Sequence, residues 1–360
     1  MARPRRNPLV VDGETARQDR EFLEAMATDV AGDDKTQRRA RLILAMADGA
    51  ALDAAAASAG MSVATARAKV GQFNEGGWKA LLTIRPPRGG DFLARYDLGF
   101  WAERLTRVYL DQSRGFRAIP YGTSRSEPFT DMAAFRQYSQ TEFQLQAWSA
   151  QGRWKRPDLL MVPRALLCEQ QGNDLWTPDL QHFDNGHCRP YIEQAAAAVE
   201  VETSLWQVRR AVQEGVRLSF TVKEEDLKSL RNWVCANEVP LFVVQVFYDE
   251  AYALAFETLE HVISLPAGNP RRVAGKRDPT TRKVTYMIPL REGTLLGTIA
   301  EPEVEGKVFK APNGKVTVYG RLTGSEIAAA DAAVLEQLAS GALEGPPAAA
   351  DADDVNGEEE

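Results

Sequence analysis

The chain has 360 residues, of which 44% are hydrophobic and 26% are charged, and its formal net charge is −7. This length is sufficient for two domains with a sizeable core. There is no run of about 18 apolar residues, so we expect no membrane span, and we also expect no signal peptide. The three cysteines are far apart and odd in number. They predict neither a disulfide framework nor a zinc site, and they favour a cytoplasmic protein.

The acidic net charge does not exclude DNA as a partner. Part of the acidic excess lies in residues 345–360, a tail that we expect to be disordered. Basic residues cluster locally, around positions 3–6, 38–41 and 153–156. Local patches, rather than the total charge, decide whether a surface binds phosphates.

The N-terminal part of the chain is predicted to be helical after a short arm. Residues 1–30 lack a strong hydrophobic period and are interpreted as an arm or a loose helix. Residues 31–84 contain three predicted helices, at about 35–47, 52–59 and 63–74. Gly60 suits the turn before the third helix, and Ser62 is a good N-cap for it.

These three short helices resemble a homeodomain-like helix-turn-helix of the kind found in transposases. The resemblance implies that the third helix enters the major groove of DNA, with Thr65, Arg67 and Lys69 as candidate contacts. The basic linker that follows, residues 85–90, can lie in a minor groove through Arg85 and Arg88. A three-helix bundle used for packing, followed by a solvated linker, is the alternative.

Residues 91–344 have the pattern of an α/β domain with a mixed sheet and flanking helices. Helices are predicted at about 92–113, 131–150, 204–214, 224–237 and 324–339, and strands at about 159–162, 195–201, 217–222 and 241–248. Asn313-Gly314 predicts a hairpin turn between two short strands.

Three carboxylates are placed so that the predicted strands bring them together. Asp158 begins one apolar strand, and Glu200 and Glu202 end another. Residues i and i+2 of a strand share a face, so both glutamates point the same way. Clustered carboxylates repel each other, and a divalent cation relieves that repulsion. Oxygen ligands favour Mg²⁺, which assists phosphodiester hydrolysis.

This constellation resembles the PD-(D/E)xK nuclease motif, with Pro157-Asp158 as its first part and Glu200-Val201-Glu202 as its second. The resemblance implies that Asp158 and Glu200 hold the metal with the Val201 carbonyl, and that all three acids are catalytic. Glu202 stands where the motif usually has lysine, a departure known within the superfamily. Its role as a base or as a ligand for a second metal stays open.

Three stretches are similar to type II restriction endonucleases of the AccI kind, namely Glu200–Ser204, Leu218–Leu227 and Pro240–Asp249. The similarity covers about residues 155–260. Lys155 and Ser204, which flank the acids in the sequence, are candidate DNA contacts. Two secondary candidates are Glu142, as a further acid on the preceding helix, and Lys223, as the missing positive charge. A solvated helix face is the alternative for Glu142.

The resemblance implies a type II restriction endonuclease that cuts double-stranded DNA at a short site as a homodimer. A transposase or repair-type nuclease is one alternative, but the order of acids typical of transposases is not evident. A helix-turn-helix transcription regulator that does not cleave DNA is the other, and the clustered acids count against it.

Overall fold

The computed structural model describes residues 10–28, 34–84, 89–122, 129, 131–149, 155–171, 179–279 and 282–344. It divides into two compact units, one formed by Met1–Pro87 with Asp131–Gln151 and the other by Arg88–Thr130 with Gly152–Glu360. The helices are, in chain order, α1 (Gly13–Gln18), α2 (Arg20–Thr28), α3 (Asp34–Ala47), α4 (Leu52–Ser58), α5 (Val63–Gly76), α6 (Gly90–Leu110), α7 (Met132–Ser149), α8 (Arg164–Gln171), α9 (Asn185–Ile192), α10 (Val208–Gln213), α11 (Glu224–Asn237), α12 (Phe256–Ser264) and α13 (Ala332–Ala339). The strands are β1 (Phe116–Pro120), β2 (Leu159–Pro163), β3 (Ala197–Thr203), β4 (Ser219–Lys223), β5 (Leu241–Val246), β6 (Glu250–Ala255), β7 (Lys276–Arg277), β8 (Val284–Pro289), β9 (Thr294–Ile299), β10 (Glu303–Lys310), β11 (Val316–Thr323) and β12 (Ile327–Ala329).

The first unit is helical, and its three central helices lie where the sequence predicts them. They are α3, α4 and α5, with Gly60 at a φ of 63° before the third. Ser62 caps α5, because its side chain accepts a hydrogen bond from the Thr65 amide. The helices are therefore confirmed, whereas their use in DNA binding stays a prediction.

The segment interpreted as an arm differs from that prediction. Residues 13–28 form α1 and α2, and Leu23 and Met26 of α2 are fully buried in the core of the unit. The Asp12 side chain caps α1. Leu23, Met26 and Ala27 have the i, i+3, i+4 spacing of an apolar helix face, which the sequence interpretation missed, and burial of this face against α3 stabilises the helix.

The second unit is built on a seven-stranded mixed sheet in the order β1-β2-β3-β5-β6-β9-β12. Strands β3 and β5 are parallel, whereas the other neighbours are antiparallel. Strand β4 leaves this sheet and pairs with β8 in a smaller one. The α/β architecture predicted from the sequence is thus confirmed.

Both faces of the central strands are buried, which explains their continuous apolar sequences. One face packs against α6 and α13, through residues such as Trp101 and Leu338. The other face packs against α11 and α12, through residues such as Trp233 and Leu259. All six residues of β5 are buried.

The C-terminal part combines a confirmed hairpin with a corrected helix. Strands β10 and β11 form the predicted hairpin, and Gly314 in its turn has a φ of 81°. The helix predicted over residues 324–339 is wrong in its first half. There, β12 pairs with β9 and Ile327 is buried, so sheet pairing overrides the helical propensity of the alanines.

Two further findings concern the classes of protein considered above. Within the described part of the chain, no helix is both long and apolar enough to cross a membrane. Cys188 is a buried free thiol and Cys235 an exposed one.

Candidate active site

The sheet brings Asp158 and Glu200 to neighbouring strands. Strands β2 and β3 are antiparallel, with Leu159 opposite Val199. Extending this register by one residue places Asp158 opposite Glu200. The Val201 amide donates a hydrogen bond of 2.7 Å to Asp158 Oδ2, which fixes the first acid against β3.

Main-chain groups also hold Asp158 from the other side. Its carbonyl oxygen accepts hydrogen bonds from the amides of Tyr121, at 2.9 Å, and Gly122, at 3.1 Å. A Cβ atom at Gly122 would lie 2.9 Å from Asp158 Cα. The chain therefore needs a glycine at this position for reasons of space.

Glu200 is the most buried of the three acids, with only 2% of its surface exposed. The Lys155 ammonium contacts its Oε1 and lies 3.8 Å from Asp226 Oδ1. Glu200 Oε2 is buried and has no hydrogen-bond partner in the described residues. A buried carboxylate oxygen without a partner is costly, and it marks a place where a cation would be favourable.

Burial is the largest cause that raises the pKa values of the three acids. Burial raises the pKa of Asp158 well above its usual range, and the charges of Glu200 and Glu103 raise it further. Burial also raises the pKa of Glu200, although Lys155 partly opposes the effect. Burial, with a contribution from Glu200, raises the pKa of Glu202 to about 7.

The same acids stabilise the charged form of Lys155 and so raise its pKa. Burial alone would lower the pKa of its ammonium, but the surrounding carboxylates, led by Glu200 and Asp226, raise it well above its usual value. The side chain that we considered as a DNA contact is therefore the positive charge closest to the acids. Its ammonium balances only part of their charge.

Two acidic residues near the site were not recognised in the sequence. Glu103 of α6 lies close enough to Asp158 for its charge to raise the pKa of that carboxyl. Asp226 lies in the first turn of α11, near Lys155 and 3.8 Å from Lys223 Nζ. Lys223 itself is exposed, and its nearest acid is Asp226 rather than Glu200.

Gln245 is the third missed residue. It lies on β5 directly beside Glu202 on β3 and is fully buried. Its Oε1 accepts a hydrogen bond of 3.2 Å from the Thr221 amide, and its Nε2 has no partner in the described region. A single polar residue inside the apolar run 241–247 is the signal that could have identified it.

The other predicted residues are spread over both units. Ser204 directly follows β3, and its amide donates to the Val246 carbonyl at 3.0 Å. Glu142 lies on α7 in the first unit and is half-buried. Thr65 and Arg67 of α5 are exposed, and Lys69 is half-buried. Positions 85 and 88 fall outside the described residues, so Arg85 and Arg88 stay predictions.

The oxygen atoms of these residues are of the kind that a divalent cation prefers, but the described side chains do not form a complete set of ligands. Within the described ranges, no group of three or more acidic, histidine or cysteine side chains is arranged to hold a metal. Glu200 Oε2 is nevertheless buried and without a partner in this part of the chain, and burial disfavours the charged forms of Asp158 and Glu200, so a bound cation would stabilise their ionised forms. Lys155 contacts Glu200 Oε1, whereas Oε2, which has no partner among the described residues, is the oxygen that a cation would bind. Hard oxygen donors of this kind suit Mg²⁺.

A comparison with protein families supports one class of enzyme. Residues 204–270 match a family model described as AccI restriction endonuclease. The match supports a restriction endonuclease. Enzymes of this class are site-specific deoxyribonucleases, as the sequence predicted. The matched segment runs from the end of β3 to beyond α12 and contains Gln245 and Asp226, whereas Asp158, Glu200 and Glu202 precede it.

The match covers less than a fifth of the 360 residues. No curated protein and no solved structure was found to match the chain. The helix-turn-helix resemblance of residues 31–84 therefore has no support from known proteins.

Proposed function

We propose that the chain is a type II restriction endonuclease that hydrolyses phosphodiester bonds of double-stranded DNA at a short specific site, with Mg²⁺ as cofactor. One observation carries the proposal. Asp158 lies on the strand next to that of Glu200, whose buried Oε2 has no partner in the described residues, and Glu200 just precedes the segment that matches a restriction endonuclease family. A regulator that only binds DNA would not need this costly arrangement.

In this proposal Asp158 and Glu200 hold the metal, with the Val201 carbonyl as a further oxygen donor. When bound, Mg²⁺ stabilises the negative charge that develops on the phosphate and lowers the pKa of a water molecule. The Val201 amide orients Asp158, and the buried strands exclude bulk water from one side of the acids.

In the motif a single lysine usually occupies the third position; here its positive charge comes from Lys155, and Glu202 acts on the attacking water. Lys155 supplies the positive charge, because its ammonium contacts Glu200. Glu202, on the same face as Glu200 and less buried, is placed to accept a proton from the attacking water. The Nε2 of Gln245 beside it has no partner within the described ranges and can donate a hydrogen bond that orients Glu202.

We also propose that the enzyme acts as a homodimer on a site with two-fold symmetry, each subunit cutting one strand. The first unit would add DNA affinity through Thr65, Arg67 and Lys69 of α5. We retain the transposase, repair-nuclease and regulator alternatives as outcomes of the test.

The test is digestion of plasmid and phage DNA of mixed sequence by the purified protein, with Mg²⁺ and with EDTA. Discrete fragments that require Mg²⁺ are expected from the wild type. Glu200→Gln removes one charge at nearly constant size and should abolish cleavage while DNA binding persists. Glu257→Gln, which changes an exposed acid on α12, is the matched control and should cut normally.

Each result distinguishes the candidates. Fragments of random size would favour a repair-type nuclease over a restriction enzyme. DNA binding without cleavage under every metal condition would contradict the proposal and favour the regulator.

A further inference from the structure

The first unit contains a groove of about 660 Å³ formed by α3, α5, α7 and the 3-10 turn Trp78–Leu81. Its polar lining consists mainly of Arg39, Lys69, Gln72, Lys79, Arg136 and Gln140. Four of these side chains are cationic, and Glu75 is the one carboxylate in the lining. The groove is therefore strongly positive in a chain whose total charge is −7.

The cations of this groove form no ion pair within the described residues. Arg39 donates to the Leu81 carbonyl at 2.9 Å and to Thr83 Oγ1 at 2.8 Å. Lys69 donates to Gln72 Oε1 at 2.7 Å, and the Lys79 ammonium lies 5.7 Å from the centre of the Trp78 ring. All of these partners are neutral.

Other arginines of the same unit behave differently. Arg20 contacts both Glu24 and Asp48, and Arg38 contacts Asp34. Carboxylates thus pair with cations on the surrounding surface, whereas the groove cations form no described ion pair, although Glu75 lines the groove and the charge of Lys79 acts on the Asp19 carboxyl. Unpaired cations that face one groove are typical of a surface that binds an anion.

The closeness of the cations has an electrostatic cost. Burial, together with the positive charge of Arg39, lowers the pKa of Lys69. Two hydrogen bonds hold the Arg39 guanidinium, and one holds the Lys69 ammonium. A bound anion would replace this repulsion with attraction.

We infer that the groove binds the phosphodiester backbone of DNA and gives the first unit an affinity that does not depend on sequence. Its volume exceeds that of a single phosphate, and its amide side chains, Gln72 and Gln140, can donate hydrogen bonds to phosphate oxygens. The inference rests on the proposed function, because it assumes DNA as the substrate. It adds residues of α7 and the 3-10 turn to the DNA contacts, beyond the third helix of the helix-turn-helix resemblance.

The test uses Lys79→Gln combined with Arg136→Gln, because both side chains are exposed and neither donates a described hydrogen bond. Lys35→Gln is the matched control, since Lys35 is an exposed cation of the same unit that does not line the groove. Binding to a fluorescein-labelled duplex of scrambled sequence is measured by anisotropy over a range of salt concentrations, with Ca²⁺ in place of Mg²⁺.

The slope of log K against log salt concentration is negative, and removing one cation that neutralises a phosphate reduces its magnitude by about 0.9. If each of the two cations neutralises one phosphate, the magnitude should fall by about 1.8 in the double variant and stay unchanged in the control. Affinity should fall equally for scrambled and cleavable duplexes, and the cleavage positions should not change. Lys79→Arg should retain the wild-type slope.

An unchanged slope in a double variant that still melts like the wild type would overturn the inference while leaving the nuclease proposal intact. A decrease confined to the cleavable duplex would also overturn it, because it would indicate base reading. If the wild type neither binds nor cuts DNA, the proposed function fails, and the inference fails with it.

Discussion

Gly122→Ala tests whether the main chain around Asp158 sets the geometry of the site. The new Cβ would lie 2.9 Å from Asp158 Cα and 3.0 Å from the Pro157 carbonyl oxygen. Carbon atoms in contact prefer a separation of about 3.5–4.0 Å. Both neighbours are backbone atoms, so Asp158 itself must move by about half an ångström or more to reach that separation.

The expected loss of activity is larger than the expected loss of stability. Overpacking of this kind costs about 1–3 kcal/mol of unfolding free energy. A misplacement of about 1 Å can reduce a catalytic rate by about 100-fold, so we expect cleavage to fall by about 10- to 100-fold. Urea denaturation and the initial rate of plasmid cleavage measure the two effects.

Gly99→Ala is the control. Gly99 lies inside α6, and a Cβ there meets no atom within 4 Å. Alanine should stabilise this helix by about 0.5–1 kcal/mol and leave cleavage unchanged. If Gly122→Ala cuts DNA as fast as Gly99→Ala, the Asp158 position does not depend on this contact and the reasoning is refuted.

Three further predictions concern charge, metal and thiol chemistry. Lys155→Met should lower the free energy of unfolding by about 1–3 kcal/mol, as measured by urea denaturation. This loss is smaller than for a fully buried pair, because Lys155 is partly exposed. Adding Glu200→Gln should restore part of the lost stability, because it removes the charge that Lys155 balances. A double variant no more stable than Lys155→Met alone would contradict this coupling. Ca²⁺ should raise the melting temperature of the wild type, by the equivalent of about 2.7 kcal/mol at 100 times its Kd, and EDTA should remove the shift; an equal shift in Glu200→Gln would place the cation elsewhere. Iodoacetamide should alkylate Cys235 in the native protein and spare Cys188. Cys188 is buried, and burial raises the pKa of its thiol to about 11. Mass spectrometry of the digested protein shows which of the two cysteines is alkylated. Alkylation of Cys188 before unfolding would show that the core around this thiol opens.

The sequence predicts elements well where periodicity and local signals agree. Helix α11 has the bounds expected from its apolar face, and the Asn313-Gly314 turn produces the expected hairpin. Prediction fails where tertiary pairing decides. The alanine-rich segment before α13 favours a helix locally, yet it completes the sheet beside β9.

The sequence predicts that Asp158 and Glu200 lie side by side, but it does not predict which residues surround them. Asp158 and Glu200 could be placed together because one begins and the other ends a buried strand. Gln245 could not, because its position beside Glu202 requires β5 rather than β4 to follow β3 in the sheet. Because β4 belongs to the smaller sheet, Lys223 lies near Asp226, and Lys155 is the cation that contacts Glu200.

The anchoring of Asp158 by main-chain amides has a consequence for how such a site evolves. The Val201 amide would make the same hydrogen bond under any side chain except proline, which lacks the N–H group. Position 201 is therefore free to drift as far as this contact is concerned. The side chain between Glu200 and Glu202 can therefore change while the hydrogen bond that orients Asp158 persists.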